Sequence, residues 1–340
     1  MSKPEPPELI EAISRLTSLL SSRAPLNVAY RVFHEVLRSR MPASNLFIAL
    51  GSREGGILHF PYFVDELELV DNLEYLPFGG LTGHVIETGT TIWVRDRPEV
   101  LDEIGFRGPR PVDWVGLPLR GASGAGLGAL VVQTYHEGLV YSSEDVAFLR
   151  LAADLLSLAI QIATIERELS IVRISALVEE TSDLDSLYSG IHRIVAGLIP
   201  AARQSFIIAR IDREAGLFHQ VYCVDKKEID DWSPWAIDQG LSGYVAADGG
   251  RSFVYEDGRT PPPEGYRLLG HKPAYWLGAA LKLGATVIGV VMIQSYDPEL
   301  PISREDEQAL LGLCPHIGNA IARTELHDHS RSLRSKLTGH

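Results

Sequence analysis

The chain has 340 residues, 45% of them apolar and 22% charged, which is typical of a soluble globular protein with room for two domains. Its formal net charge of −13 and its lack of a basic run argue against nucleic-acid binding. Only two cysteines, Cys223 and Cys314, are present, so we expect neither a disulfide framework nor a structural zinc site, and a cytoplasmic location. No apolar stretch approaches 18 residues, and the N-terminus MSKPEPPELIEAISRL has neither the basic start nor the apolar segment of a signal peptide, so we expect no membrane contact.

The first half of the sequence predicts helices at both ends and strands between them. Two amphipathic helices open it: LIEAISRLTSLL and NVAYRVFHEVLRSR. Strands follow at NLFIAL and ILHFPYFV, then a short helix at GGLTGHVIETG that stops at Gly89. After a short strand, TIWVRD, comes a hairpin of WVGLPLR and GALVVQTY. The last helix, SSEDVAFLRLAADLLSLAIQIA, begins with a serine cap and an acidic first turn.

The second half of the chain repeats the first. Matching segments lie 160 residues apart: LFIA with FIIA, YFVDELE with YCVDKKE, and GLTGHV with GLSGYV. Beyond an inserted residue near 246–252 the separation becomes 161, as for Gln133 with Gln294 and Tyr135 with Tyr296. One register maintained over so many segments indicates a tandem duplication.

Helices that flank a run of mainly antiparallel strands predict an α+β fold in each copy. The segment GLTG-V---TG, the strand W-G-PL and the helix S-ED---L---A resemble a GAF domain, and GLSGYV, WLGAAL and VIGVVMIQSY repeat that likeness. The resemblance implies two antiparallel sheets, each with helices on one face and a ligand-sized pocket on the other. We expect a first domain at 1–161, a connecting helix at 162–184, a second domain at 185–322, and a C-terminal helix at 323–340 leading to an output domain.

The predicted connecting helix carries an apolar stripe with heptad spacing. Its members are Ile162, Ile165, Leu169, Val172 and Ala176. Such a stripe either packs onto the two flanking domains or forms the seam of a parallel homodimer. Resemblance to tandem GAF proteins, which dimerise along such helices, favours the seam.

The resemblance also places a small-molecule site between each sheet and its short helix. The candidate ligand-binding residues are Tyr62, Asp65, Thr82, His84, Trp114 and Gln133 in the first copy, and Tyr222, Asp225, Ser242, Tyr244, Trp276 and Gln294 in the second. Aromatic rings with a few hydroxyls and a carboxylate could hold a small organic molecule. The alternative is that the tryptophans and tyrosines fill the core. Because the copies differ at His84 and Tyr244, ligand binding by only one copy stays open.

Other motifs give no sign of a cofactor, a metal or a catalytic group. The cluster Gly121, Gly124, Gly126 and Gly128 lacks the Lys-Ser/Thr of a phosphate loop and predicts a hairpin turn. Cyclic-nucleotide-binding GAF domains carry an NK…F…DE signature, of which only Asp306 and Glu307 remain. Bilin attachment and methionine sulfoxide reduction need cysteine arrangements that this chain lacks.

The sequence therefore favours a non-catalytic signal-sensing region, of the kind found upstream of histidine kinases, diguanylate cyclases, phosphodiesterases or AAA+ activators. Such a region would bind an unidentified small molecule, dimerise, and pass a change along its helices to an output domain. The alternatives are a ligand-free dimerisation scaffold and a redox GAF enzyme.

Overall fold

The computed structural model describes residues 6–22, 25–67, 75–122, 124–181, 183–227 and 233–338. The chain divides into two compact units, residues 1–164 and 165–340. Residues 339 and 340 of the predicted C-terminal segment lie outside the described residues.

The first domain is a six-stranded antiparallel sheet with the strand order β3-β2-β1-β6-β5-β4. Its strands are β1 (Asn45–Ser52), β2 (Ile57–Val64), β3 (Tyr75–Pro77), β4 (Ile92–Trp93), β5 (Asp113–Arg120) and β6 (Gly126–Thr134). Its helices are α1 (Pro6–Ser22), α2 (Leu26–Arg38), α3 (Gly80–Thr88), α4 (Val100–Glu103) and the first part of α5 (Ser143–Glu180). The predicted helix stop is confirmed, since Gly89 has φ of 63°. The glycine cluster forms the predicted hairpin turn, which pairs Arg120 with Gly126.

The second domain repeats this topology strand for strand, in the order β9-β8-β7-β12-β11-β10. Its strands are β7 (Ser205–Asp212), β8 (Leu217–Asp225), β9 (Trp235–Ala236), β10 (Ser252–Glu256), β11 (Tyr275–Leu283) and β12 (Thr286–Ser295). Its helices are the last part of α5, α6 (Leu184–Leu198), a short 3-10 helix (Pro200–Arg203), α7 (Gly240–Ala246) and α8 (Arg304–Thr338). The α+β fold with two helix-flanked antiparallel sheets is confirmed.

Each sheet buries both of its faces, as β1 illustrates. Leu46 and Ile48 point into the larger core under the long helices, where they meet residues of α2 and α5. Phe47 and Ala49 point the other way, into a smaller core covered by α3. This alternation follows from the two-residue repeat of a strand. The smaller core is the side on which a ligand site is expected.

A β-bulge interrupts the alternation on the neighbouring strand. In the first domain Ile48 pairs with Tyr62 but Leu50 pairs with His59, so one extra residue is accommodated on β2. As a result Phe60 and Phe63, three residues apart, both reach the smaller core. Tyr62 packs against the larger core instead. The same bulge recurs on β8 in the second domain.

Helix α5 starts at a capping box, in which the backbone N–H of Asp145 donates to Ser142 Oγ and the N–H of Ser142 donates to the Asp145 carboxylate. Within the part of the chain that the structure describes, α5 is long and apolar enough to cross a membrane, by length and composition only. Its most apolar 18-residue window has a mean hydropathy of 1.8 and is 44% buried. The expectation that no segment reaches this length and apolarity is therefore wrong. Core helices pass the same test.

The connector is continuous with the last helix of the first domain. Leu149, Ala152 and Leu156 of α5 are buried in the first domain, and Ile174 and Val178 are buried in the second. The helix ends at Glu180, before the predicted 184, because Asp183 caps a new helix. The Asp183 carboxylate accepts a hydrogen bond from the backbone N–H of Ser186 at 2.8 Å.

Candidate ligand cavities of the two domains

Each domain has a cavity between the sheet and its short helix, on the face away from the long helices. The cavity has a volume of about 100 Å³ in the first domain and about 180 Å³ in the second. The second cavity is lined by Ile207, Ser233, Trp235, Gly240, Leu241, Ser242, Leu268, Leu269, Gly270, His271, Trp276, Met292, Gln294 and Tyr296.

Half of the twelve candidate ligand-binding residues line these cavities. Three belong to the first domain, namely Thr82, Trp114 and Gln133. Their three counterparts in the second domain are Ser242, Trp276 and Gln294. The duplicated sequence therefore places the same three positions at each cavity.

A tryptophan lying flat on the sheet contributes to each cavity wall, and a glycine two residues later makes room for it. Residues i and i+2 of a strand share a face. A Cβ atom built on Gly278 would lie 2.1 Å from Cη2 of Trp276, and one on Gly116 would lie 2.2 Å from Cη2 of Trp114. Real Cβ atoms do not make contacts this short. The indole therefore occupies the space that a side chain would need, and any substitution of the glycine would displace the tryptophan ring.

The structure places Tyr62 and Tyr222 on the opposite face of their sheets, away from the cavities. The ring nitrogen Nδ1 of His34 lies 2.7 Å from the Tyr62 hydroxyl, and Nδ1 of His192 lies 3.0 Å from that of Tyr222. The two tyrosines are therefore a correction to the candidate set. The cause is the β-bulge on β2 and β8, which reverses the facing expected from simple alternation.

The two histidines that hold these tyrosines were missed by the sequence analysis. His34 Nε2 lies 2.7 Å from the Ala43 carbonyl oxygen, and His192 Nε2 lies 2.9 Å from that of Ala202. Because a carbonyl can only accept, Nε2 carries the proton in both rings and Nδ1 accepts from the tyrosine hydroxyl. Burial lowers the pKa of His34 and favours this neutral form. The histidine recurs after 158 residues, whereas its tyrosine partner recurs after 160, the separation of the other matches.

Asp65 belongs to a closed hydrogen-bonded cluster beside the first cavity. The Gln133 carboxamide nitrogen donates to its carboxylate at 2.7 Å, and the Tyr135 hydroxyl donates at 3.1 Å. The same Gln133 nitrogen lies 2.8 Å from the Tyr135 oxygen. The first-domain glutamine is thus engaged by its own neighbours, and Asp65 does not line the cavity.

The corresponding cluster of the second domain is more open. Asp225 accepts from the Ser205 hydroxyl at 2.7 Å and from the Tyr296 hydroxyl at 3.0 Å. The Gln294 carboxamide oxygen lies 3.4 Å from the hydroxyl oxygen of Tyr296, whose single proton is donated to Asp225. Among the described residues, the Gln294 carboxamide nitrogen has no acceptor. Asp225 itself lies outside the cavity lining, whereas Gln294 and Tyr296 are within it.

His84 and Tyr244, the pair at which the copies differ, do not line the cavities. The half-buried His84 is on α3, where its carbonyl oxygen accepts from Thr88 Oγ1. Tyr244 packs edge-on against Phe253 and Tyr266, and the guanidinium of Arg251 lies 4.6 Å from its ring centroid. The difference between the copies at this position therefore does not alter the cavity lining.

The cavities differ because the first is occupied by phenylalanine rings. Phe47 stacks on Phe63 with ring centroids 5.6 Å apart, and Phe60 meets Phe47 edge-on at 5.7 Å. The second domain has Ile207, Gln220 and Cys223 at these three positions. Each replacement is smaller than phenylalanine, which accounts for the larger space.

The two cysteines lie on opposite faces of the second sheet. Cys223 packs against the core that contains the cavity, and Cys314 of α8 is buried in the core under the long helices. Burial raises the pKa of Cys223 to about 11 and that of Cys314 to about 12, so both are protonated thiols at neutral pH. A thiol pair for redox chemistry would need the two sulfurs together.

Trp235 is a wall of the second cavity that the sequence analysis did not single out. Its indole N–H donates to the Ser242 hydroxyl at 2.9 Å, and its ring stacks on Phe218 at 5.4 Å. Trp235 lies 160 residues after Tyr75, so an aromatic residue at the same position of both copies could have identified it as a candidate cavity residue.

Comparison with known proteins identifies the fold of the first domain. The GAF domain family model matches residues 26–161. No curated relative matches the chain in sequence. Among solved structures, the chain is similar to the GAF domain of a phosphoenolpyruvate-protein phosphotransferase from Coxiella burnetii, with 22% identity over 47% of this chain and 96% of that one, at a TM-score of 0.40. The GAF domain of the Acinetobacter phosphoenolpyruvate-protein phosphotransferase shares 18% identity over 46% of this chain and 93% of that one, at a TM-score of 0.37.

A third similar structure is a free methionine-R-sulfoxide reductase from Neisseria meningitidis in complex with its substrate. It shares 13% identity over 48% of this chain and 92% of that one, at a TM-score of 0.40. The strand order, the Trp-x-Gly strand and the short helix over the cavity are present in both halves. Residues 26–161 of the first domain therefore belong to the GAF domain family, and the second domain repeats the strand order of the first.

Proposed function

We propose that this protein is a cytoplasmic, non-catalytic signal-input module, in which tandem GAF-type domains dimerise in parallel along α5 and relay ligand binding to an output domain. The observation that carries the proposal is an apolar stripe on α5, whose members Leu151, Leu158, Ile165, Leu169 and Val172 are exposed. The cavities support the sensory part, and the stripe supports the dimer.

The stripe residues of the connector are exposed. Ile165, Leu169 and Val172 are 54%, 47% and 64% exposed. The residues that α5 packs into the second domain are different ones, such as Ile174 and Val178. Packing of the stripe onto the flanking domains therefore finds no support at these three positions.

The stripe also extends upstream into the first domain, further than the connector alone suggests. Leu151 and Leu158 are 36% and 44% exposed, and Leu155 between them is half-buried. We call the whole set the α5 stripe: Leu151, Leu155, Leu158, Ile162, Ile165, Leu169, Val172 and Ala176. Its alternating spacing of three and four residues covers nearly four heptads, the length at which a coiled-coil seam becomes a strong prediction.

A second copy of this chain is the occupant that the stripe fits. In a parallel pair the residues before an a position and after a d position face each other across the seam. Here these include Glu168 and Arg173, which have opposite charges, so parallel alignment places attractive pairs beside the seam. The α8 positions that correspond to the first four stripe residues are Gly312, His316, Asn319 and Arg323, which lack large apolar side chains, whereas the later ones include Leu326, Leu333 and Leu337.

Signal transfer follows from the position of α5 in both cores. The helix supplies Leu156 to the first core and Ile174 to the second, so its rotation or sliding would change packing in each. A ligand that binds one arrangement more tightly would shift the population toward it. The required bias is small, since a tenfold difference in affinity corresponds to about 1.4 kcal/mol.

Sedimentation velocity tests the dimer. Leu169→Glu combined with Val172→Glu places charge in the seam without touching either core, so we expect monomers with unchanged thermal stability and circular dichroism. Thr164→Glu is the matched control, since Thr164 is exposed on the same helix beside the stripe. A wild-type chain that stays monomeric at all concentrations, or a double variant that stays dimeric, would contradict the proposal.

The ligand-free scaffold keeps one point in its favour, because phenylalanine rings fill much of the first cavity. For the first domain alone, a role in dimerisation without ligand agrees with that packing. For the second domain the larger cavity favours ligand binding.

A further inference from the structure

We propose that the cavity of the second domain, and not that of the first, binds a small, planar, uncharged aromatic or heteroaromatic molecule that carries an amide-like hydrogen-bonding group. The inference rests on the proposed sensory function, whose ligand it narrows to one domain and one chemical class.

The size of the cavities separates the domains. A cavity of about 150 Å³ lined by aliphatic and aromatic side chains holds one benzene ring. The second cavity, at about 180 Å³, has room for a ring with a short substituent, and the first, at about 100 Å³, does not.

The shape of the second cavity favours a flat molecule. Trp276 lies flat over Gly278 on the sheet, and Trp235 forms a second wall with one face already covered by Phe218. Met292 adds an adaptable apolar contact. Flat aromatic molecules gain from offset or edge-on contact with such rings.

The lining also selects against charge. None of the described residues around the second cavity is Lys, Arg, Asp or Glu. His271 lies on the exposed rim of the cavity. An ionised group placed deeper, against Trp276 and Met292, would lose hydration without an opposite charge beside it, and it would bind more weakly than a neutral molecule of the same shape.

Gln294 supplies the polar recognition. In the first domain the equivalent carboxamide nitrogen is held by Asp65 and Tyr135. In the second domain the Gln294 nitrogen has no acceptor among the described residues, and the residue lines the cavity. A ligand amide fits either orientation of this carboxamide, because its carbonyl can accept from the Gln294 N–H and its own N–H can donate to the Gln294 oxygen. Ser242 is less available, because its oxygen already accepts from Trp235.

Benzamide and benzoate provide a test of size, shape and charge together. The two molecules have nearly the same outline, but only benzoate is charged at neutral pH. Ligand-observed NMR titration of the full chain should show benzamide binding with Kd of about 1 mM, as is usual for ligands of this size. Benzoate should bind at least about tenfold more weakly. Absence of benzamide binding at about 10 mM, or equal binding of benzoate, overturns the inference.

Exchange of residues between the copies tests the domain assignment. Ile207→Phe introduces the ring that Phe47 supplies in the first domain and should weaken benzamide binding by at least about tenfold. Cys223→Phe, which introduces the ring that Phe63 supplies, is a second variant in case the first fails to fold. The matched control is Ile57→Phe in the first domain, at an exposed position outside the cavity lining, which should leave the benzamide Kd unchanged. Binding that survives both second-domain substitutions, or that is lost in the control, overturns the assignment.

Gln294→Met keeps the length of the side chain and removes its amide. It should weaken benzamide binding, whereas indole, which has no carbonyl, should bind the variant and the wild type alike. Equal loss of both probes would contradict the role of Gln294. Sedimentation velocity on the same samples distinguishes failure of the dimer proposal from failure of the ligand proposal. A chain that is dimeric but does not bind benzamide would refute only the proposed ligand class.

Discussion

Replacing Gly278 by alanine should destabilise the second domain through a single steric conflict. The added Cβ would lie 2.1 Å from Cη2, 2.6 Å from Cζ3 and 2.9 Å from Cζ2 of Trp276. The backbone itself tolerates alanine here, because Gly278 does not have a positive φ. The conflict therefore lies entirely with the indole, which must retreat by about 1.5 Å to reach van der Waals distance.

The indole has little room to move. Trp276 is 5% exposed and belongs to the core that surrounds the cavity. Overpacking of this kind costs about 1–3 kcal/mol. One direction of escape is into the cavity, so the variant should lose benzamide binding as well as stability.

Hydrogen exchange followed by mass spectrometry reports on each domain separately. Peptides from Tyr275–Ser295 that exchange by unfolding of the domain should exchange roughly 5- to 150-fold faster, which corresponds to the expected loss of 1–3 kcal/mol. Peptides from Asp113–Thr134 should keep their rates. The control is Gly197→Ala, because a Cβ atom there meets nothing within 4 Å. Unchanged exchange in Gly278→Ala would refute the steric account.

Three further outcomes are expected. The free energy of unfolding of the first domain should fall as the pH drops below about 6.5, because the unfolded chain takes up a proton at His34 that burial disfavours in the folded chain. This contribution to the pH dependence, at most about 1.4 kcal/mol per pH unit, should vanish in His34→Gln. An unchanged pH dependence in that variant would contradict a neutral His34. Cys223 and Cys314 should react with a disulfide reagent roughly a hundredfold more slowly than ordinary thiols in the native protein and normally in denaturant; rapid native labelling would show an activated thiol. Asp183→Ala should cost about 1 kcal/mol of stability in the second domain in urea denaturation, while Asp183→Asn should cost less, and an equal loss in both would exclude capping as the cause.

The repeat register and the strand pattern made the fold predictable from sequence. The Trp-x-Gly strands, the glycine stop at Gly89 and the serine-capped helix each depend on local chemistry that one sequence contains. Duplication strengthened every one of these interpretations, because an independent second copy gave the same elements in the same order. The cavity positions Trp114 and Trp276 followed from the same motif.

The residues that were misplaced depend on non-local geometry. Tyr62 and Tyr222 lie just after a β-bulge, and strand alternation alone cannot reveal which residue is the extra one. Their partners, His34 and His192, lie on helices about 30 residues earlier, and only the fold brings them within hydrogen-bonding distance.

The length of the α5 stripe was underestimated for a different reason. Leu151 and Leu158 fall in a segment whose helical periodicity is explained by packing onto the first sheet. When one face of a helix packs on its own domain and another packs on a partner, both faces are apolar, and the sequence pattern does not distinguish them. Only the exposure of these two leucines separates the stripe from the core face.

Cysteine cross-linking along α5 tests the central claim most directly, since identical residues at a seam position of a parallel dimer face each other. In a chain with Cys223→Ser and Cys314→Ala, the substitution Leu169→Cys should give a covalent dimer on mild oxidation, because seam Cα atoms can approach within the roughly 7 Å that a disulfide spans. Thr164→Cys, exposed on the same helix but off the stripe, should remain monomeric in denaturing gels. Cross-linking at Thr164 and none at Leu169 would show that α5 does not form the parallel seam.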